Sequence, residues 1–341
     1  MFSLVKDILN PINWIKLILN PKKIKVLYDR IFYYPGLNFK NIKPSILRKK
    51  YKNFLISFLN YIGKKNDRLN YFFYSDKNDD NHKEVELEEI TFSLDNNKKI
   101  SNFAFEYLKN YGLIIIENIL SHNEREKIIE IFNKINNDDK DFFENNKVLE
   151  LSKNEKSEDV LVKLLYSELD YCPEIINFSN QVTKKIFGKE IEPMGQFLIH
   201  KSIKIPEKIF PGDNNLHVDR FLPNLKLAYF PFDVENEHAP FTYATGSHKI
   251  NNEYKNFFIN NENYIFDERN ENSKTFLKQI ISANIKKNSI IITLTNGFHG
   301  RAPFKIKSDR KSLFLTYPKF NLLTLFSFLS LNKKKNIYSE T

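Results

Sequence analysis

His217-Val218-Asp219 places an imidazole and a carboxylate two residues apart. In extended chain, residues at this spacing point to the same side, so both groups can face one point. A histidine and an aspartate supply two of the three ligands of a 2-His-1-carboxylate iron site, which leaves positions open for substrates and O₂. The spacing is common by itself, so the prediction depends on a third ligand elsewhere in the chain.

His299 is the candidate for that third ligand. It follows a strand-like apolar run, Ser289–Thr295, late in the sequence. Gly297 and Gly300 flank it, and glycines at these places permit a tight turn and a close approach of the backbone to a ligand. We therefore predict an iron site made of His217, Asp219 and His299.

Arg310 lies eleven residues after His299 and opens the apolar run Ser312–Tyr317. An arginine offers two parallel, charge-assisted hydrogen bonds to a carboxylate. An iron oxygenase that uses 2-oxoglutarate needs such a cation for the distal carboxylate of this cosubstrate. Arg301, in the turn after His299, is the alternative, and we prefer Arg310 because it can sit on the adjacent strand.

The combination of these motifs resembles the phytanoyl-CoA dioxygenase family. The resemblance covers roughly residues 100–318 and includes the stretch APFTYATGSH at 239–248. It implies an Fe(II)/2-oxoglutarate oxygenase that consumes O₂ and is built on a double-stranded β-helix. By resemblance, His217, Asp219 and His299 bind iron and Arg310 binds 2-oxoglutarate, whereas the histidine of the Gly-Ser-His stretch is not a ligand. The carboxylate of Asp219 favours hydroxylation, because related halogenases lack it.

Three further residues are weaker candidates. Gln196, on a strand that leads towards the site, and Thr242, in the APFTYATGSH stretch, could each contact 2-oxoglutarate or substrate. Structural hydrogen bonding explains either residue equally well. His200 could line the pocket, but we favour a structural role for it.

The bulk composition limits the class of protein. The chain has 341 residues, of which 41% are apolar, so it can bury a sizeable core. Its single cysteine, Cys172, excludes a disulfide framework and a cysteine-rich metal site. We expect Cys172 to be a small buried hydrophobe. A cytoplasmic protein is predicted, because neither a secretory signal nor an apolar run of transmembrane length is visible.

The positive charge is concentrated near the N-terminus. Residues 1–70 hold 15 Lys or Arg against 3 Asp or Glu, although the whole chain carries only +10. We predict a basic, apolar helical arm over 1–63, a polar linker over 64–100, the catalytic domain over 101–319 and an apolar, basic tail over 320–341. The arm suits the surface of an anionic membrane, but we favour its packing on the catalytic domain. With no nucleic-acid recognition motif, no nucleic-acid partner is expected.

The element pattern predicts an α+β domain in which a double-stranded β-helix (jelly-roll or cupin-like) core has flanking helices. Helices are expected over Asn102–Asn110, from Ser121 to about Ile135, and in part of Val160–Phe187, with a loop over 136–157. A buried strand is expected at Leu113–Ile116. The later predicted strands are Gln196–Ile205, Leu225–Val234, Ser289–Thr295 and Lys311–Tyr317.

Two alternatives to a 2-oxoglutarate hydroxylase stay open. The three ligands could serve an iron oxygenase that does not use 2-oxoglutarate. The β-helix could also be a degenerate, non-catalytic module that binds an anionic surface or ligand. If the chain is an enzyme, its partner is a small organic substrate whose identity the sequence does not define.

Overall fold

The structure is a computed structural model, and its description covers seven ranges and a few separate residues. These are 84–137, 148–155, 159–166, 172–202, 216–219, 223–251 and 279–317, with 53, 57, 71–72, 254 and 256–258. The predicted arm over 1–63, apart from residues 53 and 57, and the predicted tail over 320–341 lie outside the described residues. Among the helices described, none has both the length and the hydropathy needed to cross a membrane.

Three α-helices have clear sequence boundaries. Helix α1 (Asn102–Tyr111) begins where the Ser101 hydroxyl accepts a hydrogen bond from a backbone N–H, and ends at Gly112 in a left-handed conformation. Helix α2 (His122–Asn136) begins at Ser121 in the same way, so both predicted N-terminal helices are confirmed. Helix α3 (Pro173–Phe187) begins with proline in its first turn, where no amide hydrogen is needed.

Eleven β-strands form two sheets among the described residues. The strands are β1 (Thr91–Ser93), β2 (Leu113–Glu117), β3 (Val148–Glu155), β4 (Asp159–Tyr166), β5 (Met194–Ser202), β6 (Leu225–Phe230), β7 (Phe241–Ala244), β8 (Ile280–Ala283), β9 (Ser289–Leu294), β10 (His299–Arg301) and β11 (Asp309–Thr316). The larger sheet has the order β1-β2-β9-β6-β11-β5-β4-β3, and the smaller has the order β10-β7-β8. The buried strand predicted at Leu113–Ile116 is confirmed as β2.

The chain alternates between the two sheets from β5 onwards. It runs from β5 in the larger sheet to a bridge at His217 beside β10, then to β6, back to β7 and β8, and on through β9, β10 and β11. The core of the larger sheet is therefore β5-β11-β6-β9, with antiparallel neighbours throughout. This alternation between two antiparallel sheets is the winding of a double-stranded β-helix, so the predicted fold is confirmed.

The segment between α2 and α3 differs from its prediction. The expected loop over 136–157 is wrong for Val148–Glu155, which is strand β3. The prediction that Val160–Phe187 is helical in part is confirmed by α3, and its first part, up to Tyr166, belongs to strand β4. Strands β3 and β4 form an antiparallel hairpin, and β4 pairs along the length of β5. The pairing with β5 satisfies the backbone of β4, and this tertiary contact decides its conformation.

The predicted linker is described only from residue 84 onwards, apart from 71–72. This part contains a turn of 3-10 helix, Glu88–Ile90, followed by β1, which pairs in parallel with β2 at the edge of the larger sheet. The segment 84–100 thus carries regular structure that its polar sequence did not indicate. The boundaries of the four predicted regions stay predictions.

Two apolar clusters cover the two faces of the larger sheet. Alternate residues such as Leu227 and Leu313 pack with the three helices on the outer face. The residues between them, such as Ala228 and Phe230, pack with Phe241 and Tyr243 of the smaller sheet. This alternation defines an interior between the sheets, and residues on that face of each strand surround the candidate site.

Candidate metal centre

His217 and His299 are brought together by backbone pairing. The His217 N–H donates to the His299 carbonyl at 2.8 Å, and the His299 N–H donates to the His217 carbonyl at 2.9 Å. The two residues therefore face each other across an antiparallel bridge, and their ring centroids lie 4.6 Å apart. This bridge adds residue 217 to the edge of the smaller sheet, next to β10.

Asp219 completes the group. Its backbone N–H donates to the Thr295 carbonyl at 3.2 Å, which anchors it beside the turn that leads to His299. Its Oδ1 lies 3.7 Å from Nε2 of His217 and 3.5 Å from Nε2 of His299. One ligand atom from each of the three residues lies within 4.8 Å of the others. The structure thus brings together the three predicted ligands, in an arrangement that can hold one metal ion.

The ring of His299 is oriented for ligation. Its Nδ1–H donates to the Gly297 carbonyl at 3.0 Å, which leaves the Nε2 lone pair directed at Asp219. Nε2 is buried and makes no hydrogen bond, although a buried nitrogen of this kind normally has a partner. A lone pair that faces a carboxylate is stabilised by a cation between them. Two imidazoles and one carboxylate are a donor set that suits Fe(II).

The turn that carries His299 is held by the Gly-Ser-His stretch. The Phe298 N–H donates to Ser247 Oγ at 2.8 Å, and Asn296 Nδ2 donates to the His248 carbonyl at 2.6 Å. At Gly297, an added Cβ would meet Tyr243 Oη and, at 2.9 Å, Ser247 Oγ. The APFTYATGSH stretch therefore positions a ligand, and no side chain in it belongs to the metal-binding group.

His248 itself lies apart from the metal-binding group. It is fully buried, and its Nε2–H donates to the Lys109 carbonyl of α1 at 3.1 Å. This location agrees with the expectation that the third residue of the Gly-Ser-His stretch is not a ligand.

Arg310 lies on β11 directly opposite His200 on β5, and it is only 4% exposed. Its Nη1 donates to the Ala239 carbonyl, and its Nη2 donates to His200 Nδ1 at 3.4 Å. These two contacts hold the guanidinium in one orientation. A cleft of about 250 Å³ opens beside it, with Phe232 on its wall.

Gln196 and Arg310 share the interior face of the larger sheet. Gln196 pairs with Phe314, and directly paired residues point to the same side. Phe314 packs against the cluster between the sheets, so Gln196 and, by alternation, Arg310 point into that space too. Their roles towards 2-oxoglutarate stay predictions.

Thr242 is buried on β7, between two residues whose side chains belong to the cluster between the sheets. Strand alternation therefore turns Thr242 to the opposite face from Phe241 and Tyr243. Its Oγ1 has no hydrogen-bond partner in the described structure. Thr242 and His299 thus lie on different faces of the smaller sheet, and the predicted contact of Thr242 with cosubstrate stays a prediction.

Lys226 is a site residue that sequence reasoning missed. Its Nζ lies 2.7 Å from Asp219 Oδ2, and only 16% of its side chain is exposed. Burial raises the pKa of Asp219, but opposing interactions, of which that with the Lys226 ammonium is the largest, outweigh burial and hold this pKa well below the ordinary range. The only signal in the sequence was strand alternation, which puts position 226 on the same face of β6 as Ala228 and Phe230.

Among known proteins, this chain is similar only to solved structures, at low sequence identity. No protein-family model matches the sequence, and no curated protein matches it. The epimerase SnoN, solved with Fe³⁺, alpha-ketoglutarate and nogalamycin RO, has a TM-score of 0.45 and 13% identity, over 62% of this chain and 80% of its own. Apoform EctD from S. alaskensis has a TM-score of 0.43 and 16% identity, over 67% of this chain and 80% of its own.

HygX from Streptomyces hygroscopicus, solved with nickel, 2-oxoglutarate and hygromycin B, has a TM-score of 0.39 and 12% identity. The similarity covers 65% of this chain and 88% of the HygX chain. Each of these TM-scores is below 0.5. The fold assignment therefore rests on the strand order, and the metal-binding group rests on the distances between its ligand atoms.

Proposed function

We propose that this protein is an Fe(II)/2-oxoglutarate-dependent dioxygenase, similar to the phytanoyl-CoA dioxygenase family, that hydroxylates a small organic substrate. The observation that carries the proposal is the buried Nε2 of His299, which makes no hydrogen bond and faces Asp219 Oδ1 at 3.5 Å, with His217 alongside. The balanced reaction converts substrate, 2-oxoglutarate and O₂ into hydroxylated substrate, succinate and CO₂.

His217, Asp219 and His299 would hold the iron. His217 is the most accessible ligand, with 45% of its side chain exposed, whereas His299 is almost fully buried at 3%. Iron, 2-oxoglutarate and O₂ together supply the oxidising power that replaces a C–H bond of the substrate with C–OH. The exposed side of His217 is the side from which a substrate can reach the metal.

Arg310 would bind the distal carboxylate of 2-oxoglutarate. It lies on the interior face of the larger sheet, and Ala239 and His200 orient its fork. Because the guanidinium is already oriented, little side-chain freedom is lost when a carboxylate binds. Arg310 is only 4% exposed, and its burial strengthens such a charge pair.

The test is conversion of 2-oxoglutarate to succinate by purified protein, with and without Fe(II) and with a chelator. Asp219→Ala and His299→Ala should abolish the Fe(II)-dependent part. His122→Ala is the matched control, because that histidine is 79% exposed at the start of α2 and should leave turnover unchanged. Fe(II)-independent turnover, or turnover that survives both ligand substitutions, would show that the assignment is wrong.

A further inference from the structure

Lys226 and Asp219 form an ion pair inside the β-helix. Position 226 pairs with Thr316 on β11 and Thr293 on β9, and it lies on the interior face of β6. The ammonium group lies 2.7 Å from Asp219 Oδ2 and 5.5 Å from the centre of the Phe314 ring. Contact with an aromatic face stabilises a cation away from water, so the lysine is held from two directions.

The two carboxylate oxygens of Asp219 have different partners. Oδ2 contacts Lys226, whereas Oδ1 lies 3.7 Å and 3.5 Å from the Nε2 atoms of the two histidines. One oxygen therefore faces the metal-binding group and the other faces a fixed positive charge. An ammonium group repels a metal cation, so the metal is favoured on the Oδ1 side alone.

The backbone around this pair is also fixed. The Thr295 carbonyl accepts from the Asp219 N–H, and the Thr295 N–H donates to the Asn224 carbonyl at 2.9 Å. Asn224 Nδ2 also donates to Thr295 Oγ1 at 2.6 Å. Thr295 thus connects Asp219 to Asn224, the residue just before β6 and two residues before Lys226. These contacts fix the distance between the carboxylate of Asp219 and the ammonium group of Lys226.

A count of coordination positions shows why one oxygen matters. Two histidines and one carboxylate oxygen would occupy three of six positions, and chelation by 2-oxoglutarate would occupy two more. One position would then stay open for O₂. If both oxygens of Asp219 bound the metal, the same cosubstrate complex would have no open position.

We propose that Lys226 is a positioning residue that restricts Asp219 to ligation through one oxygen and so keeps the sixth position of the iron open. The inference rests on the proposed function, because it assumes iron and 2-oxoglutarate at this site. Lys226 would act through Asp219, without touching either reactant.

Nitric oxide tests the open position without turnover. It binds Fe(II) where O₂ would bind, and its complex is followed by electron paramagnetic resonance in protein loaded with Fe(II) and 2-oxoglutarate under anaerobic conditions. In Lys226→Met, we expect Fe(II) and 2-oxoglutarate to bind still and nitric oxide affinity to fall about tenfold, the lower end of the losses in metal affinity or activity that follow removal of a residue behind a metal ligand. Lys226→Arg keeps the charge and should retain the nitric oxide complex.

Lys286→Met is the matched control, since it removes one surface ion pair, with Glu117 at 3.3 Å, from a lysine that is 78% exposed. Equal nitric oxide affinity in wild type and Lys226→Met overturns the role of Lys226 and leaves the proposed function standing. Wild-type protein that binds neither Fe(II) nor 2-oxoglutarate overturns the proposed function itself. Should Lys226→Met fail to fold, Lys226→Gln replaces it: reduced affinity supports the proposal, and unchanged affinity overturns it.

Discussion

His217 and His299 donate a backbone hydrogen bond to each other, at 2.8 and 2.9 Å, although they lie far apart in the chain. The separation of their imidazoles is therefore defined by sheet pairing rather than by side-chain packing alone. Asp219 follows two residues later and is anchored to Thr295. All three ligands thus depend on backbone hydrogen bonds at one end of the smaller sheet.

Arg310→Ala should raise the apparent KM for 2-oxoglutarate by about 10- to 100-fold, the range expected for loss of a paired, charge-assisted contact. The kcat at saturating cosubstrate should change much less, because a saturating concentration of 2-oxoglutarate compensates for its weaker binding. Steady-state succinate formation at a series of 2-oxoglutarate concentrations measures both constants.

Arg301→Ala is the control for Arg310→Ala. Arg301 stacks on Phe304, with its Cζ 5.2 Å from the ring centre, and should leave the KM within about threefold. If Arg301→Ala raised the KM strongly and Arg310→Ala did not, Arg301 would be the residue that binds the distal carboxylate of 2-oxoglutarate. An iron oxygenase that does not use 2-oxoglutarate would show no succinate in either variant or in the wild type.

Gly297→Ala should destabilise the protein and weaken metal binding. Its new Cβ would clash with Tyr243 Oη in the turn that carries His299. Overpacking of this kind costs about 1–3 kcal/mol, which urea unfolding can resolve. The double variant with Tyr243→Phe should recover part of the loss, and additive effects in that cycle would contradict the clash.

The sequence predicted the parts of the site that obey simple local rules. His217 and Asp219 were identified by period-two spacing, and Arg310 by its position at the start of an apolar run that is now β11. Helix α2 was located from Ser121, which caps its first turn. These features depend on residues that lie near each other in the chain.

The missed features depend on tertiary pairing. Lys226 is one lysine among many, and only the fold brings it next to Asp219. Strand β3 has a polar, charged sequence typical of a loop, and it is a strand because β4 pairs with it. The sequence also did not indicate which face of the smaller sheet Thr242 occupies. Every residue of β7 is buried, so the strand shows no alternation of polar and apolar residues.

Cys172 should be almost unreactive in the folded protein. It is fully buried, as predicted, and burial with the nearby Glu124 carboxylate raises the pKa of its thiol to about 12. Because the thiolate is the reactive form, a thiol reagent at pH 8 should label it only after unfolding. Absorbance on reaction with Ellman's reagent measures this, and full labelling within seconds without denaturant would contradict it.

Glu174→Gln should be destabilising at neutral pH but not in acid. Glu174 accepts from the Ser121 N–H at 2.6 Å and from Lys98 Nζ at 2.9 Å. Burial raises its pKa, but these two donors outweigh burial and lower it. A lowered folded pKa means that the stabilisation is complete above the unfolded pKa of about 4.3 and is lost as the pH falls through the folded value.

Urea midpoints at pH 7 and pH 3 measure this effect. The deficit of Glu174→Gln should be about 1 kcal/mol at pH 7 and should shrink towards zero at pH 3. Glu106→Gln is the matched control. Glu106 is 63% exposed and its ion pair with Lys109 is long, at 3.5 Å, so its loss should change the free energy of unfolding little. A deficit of equal size at both pH values would show that shape, rather than charge, is responsible.

The three ligands come from two short stretches of chain, 216–219 and the start of β10, that meet along a single β-bridge. A metal ion bound there acts as a removable cross-link between them. Since the unfolded chain has no assembled site, metal binding and folding are thermodynamically linked. Free metal at 100 times its dissociation constant would add about 2.7 kcal/mol to the free energy of unfolding. The melting temperature of this protein should therefore report how much of it is loaded with metal.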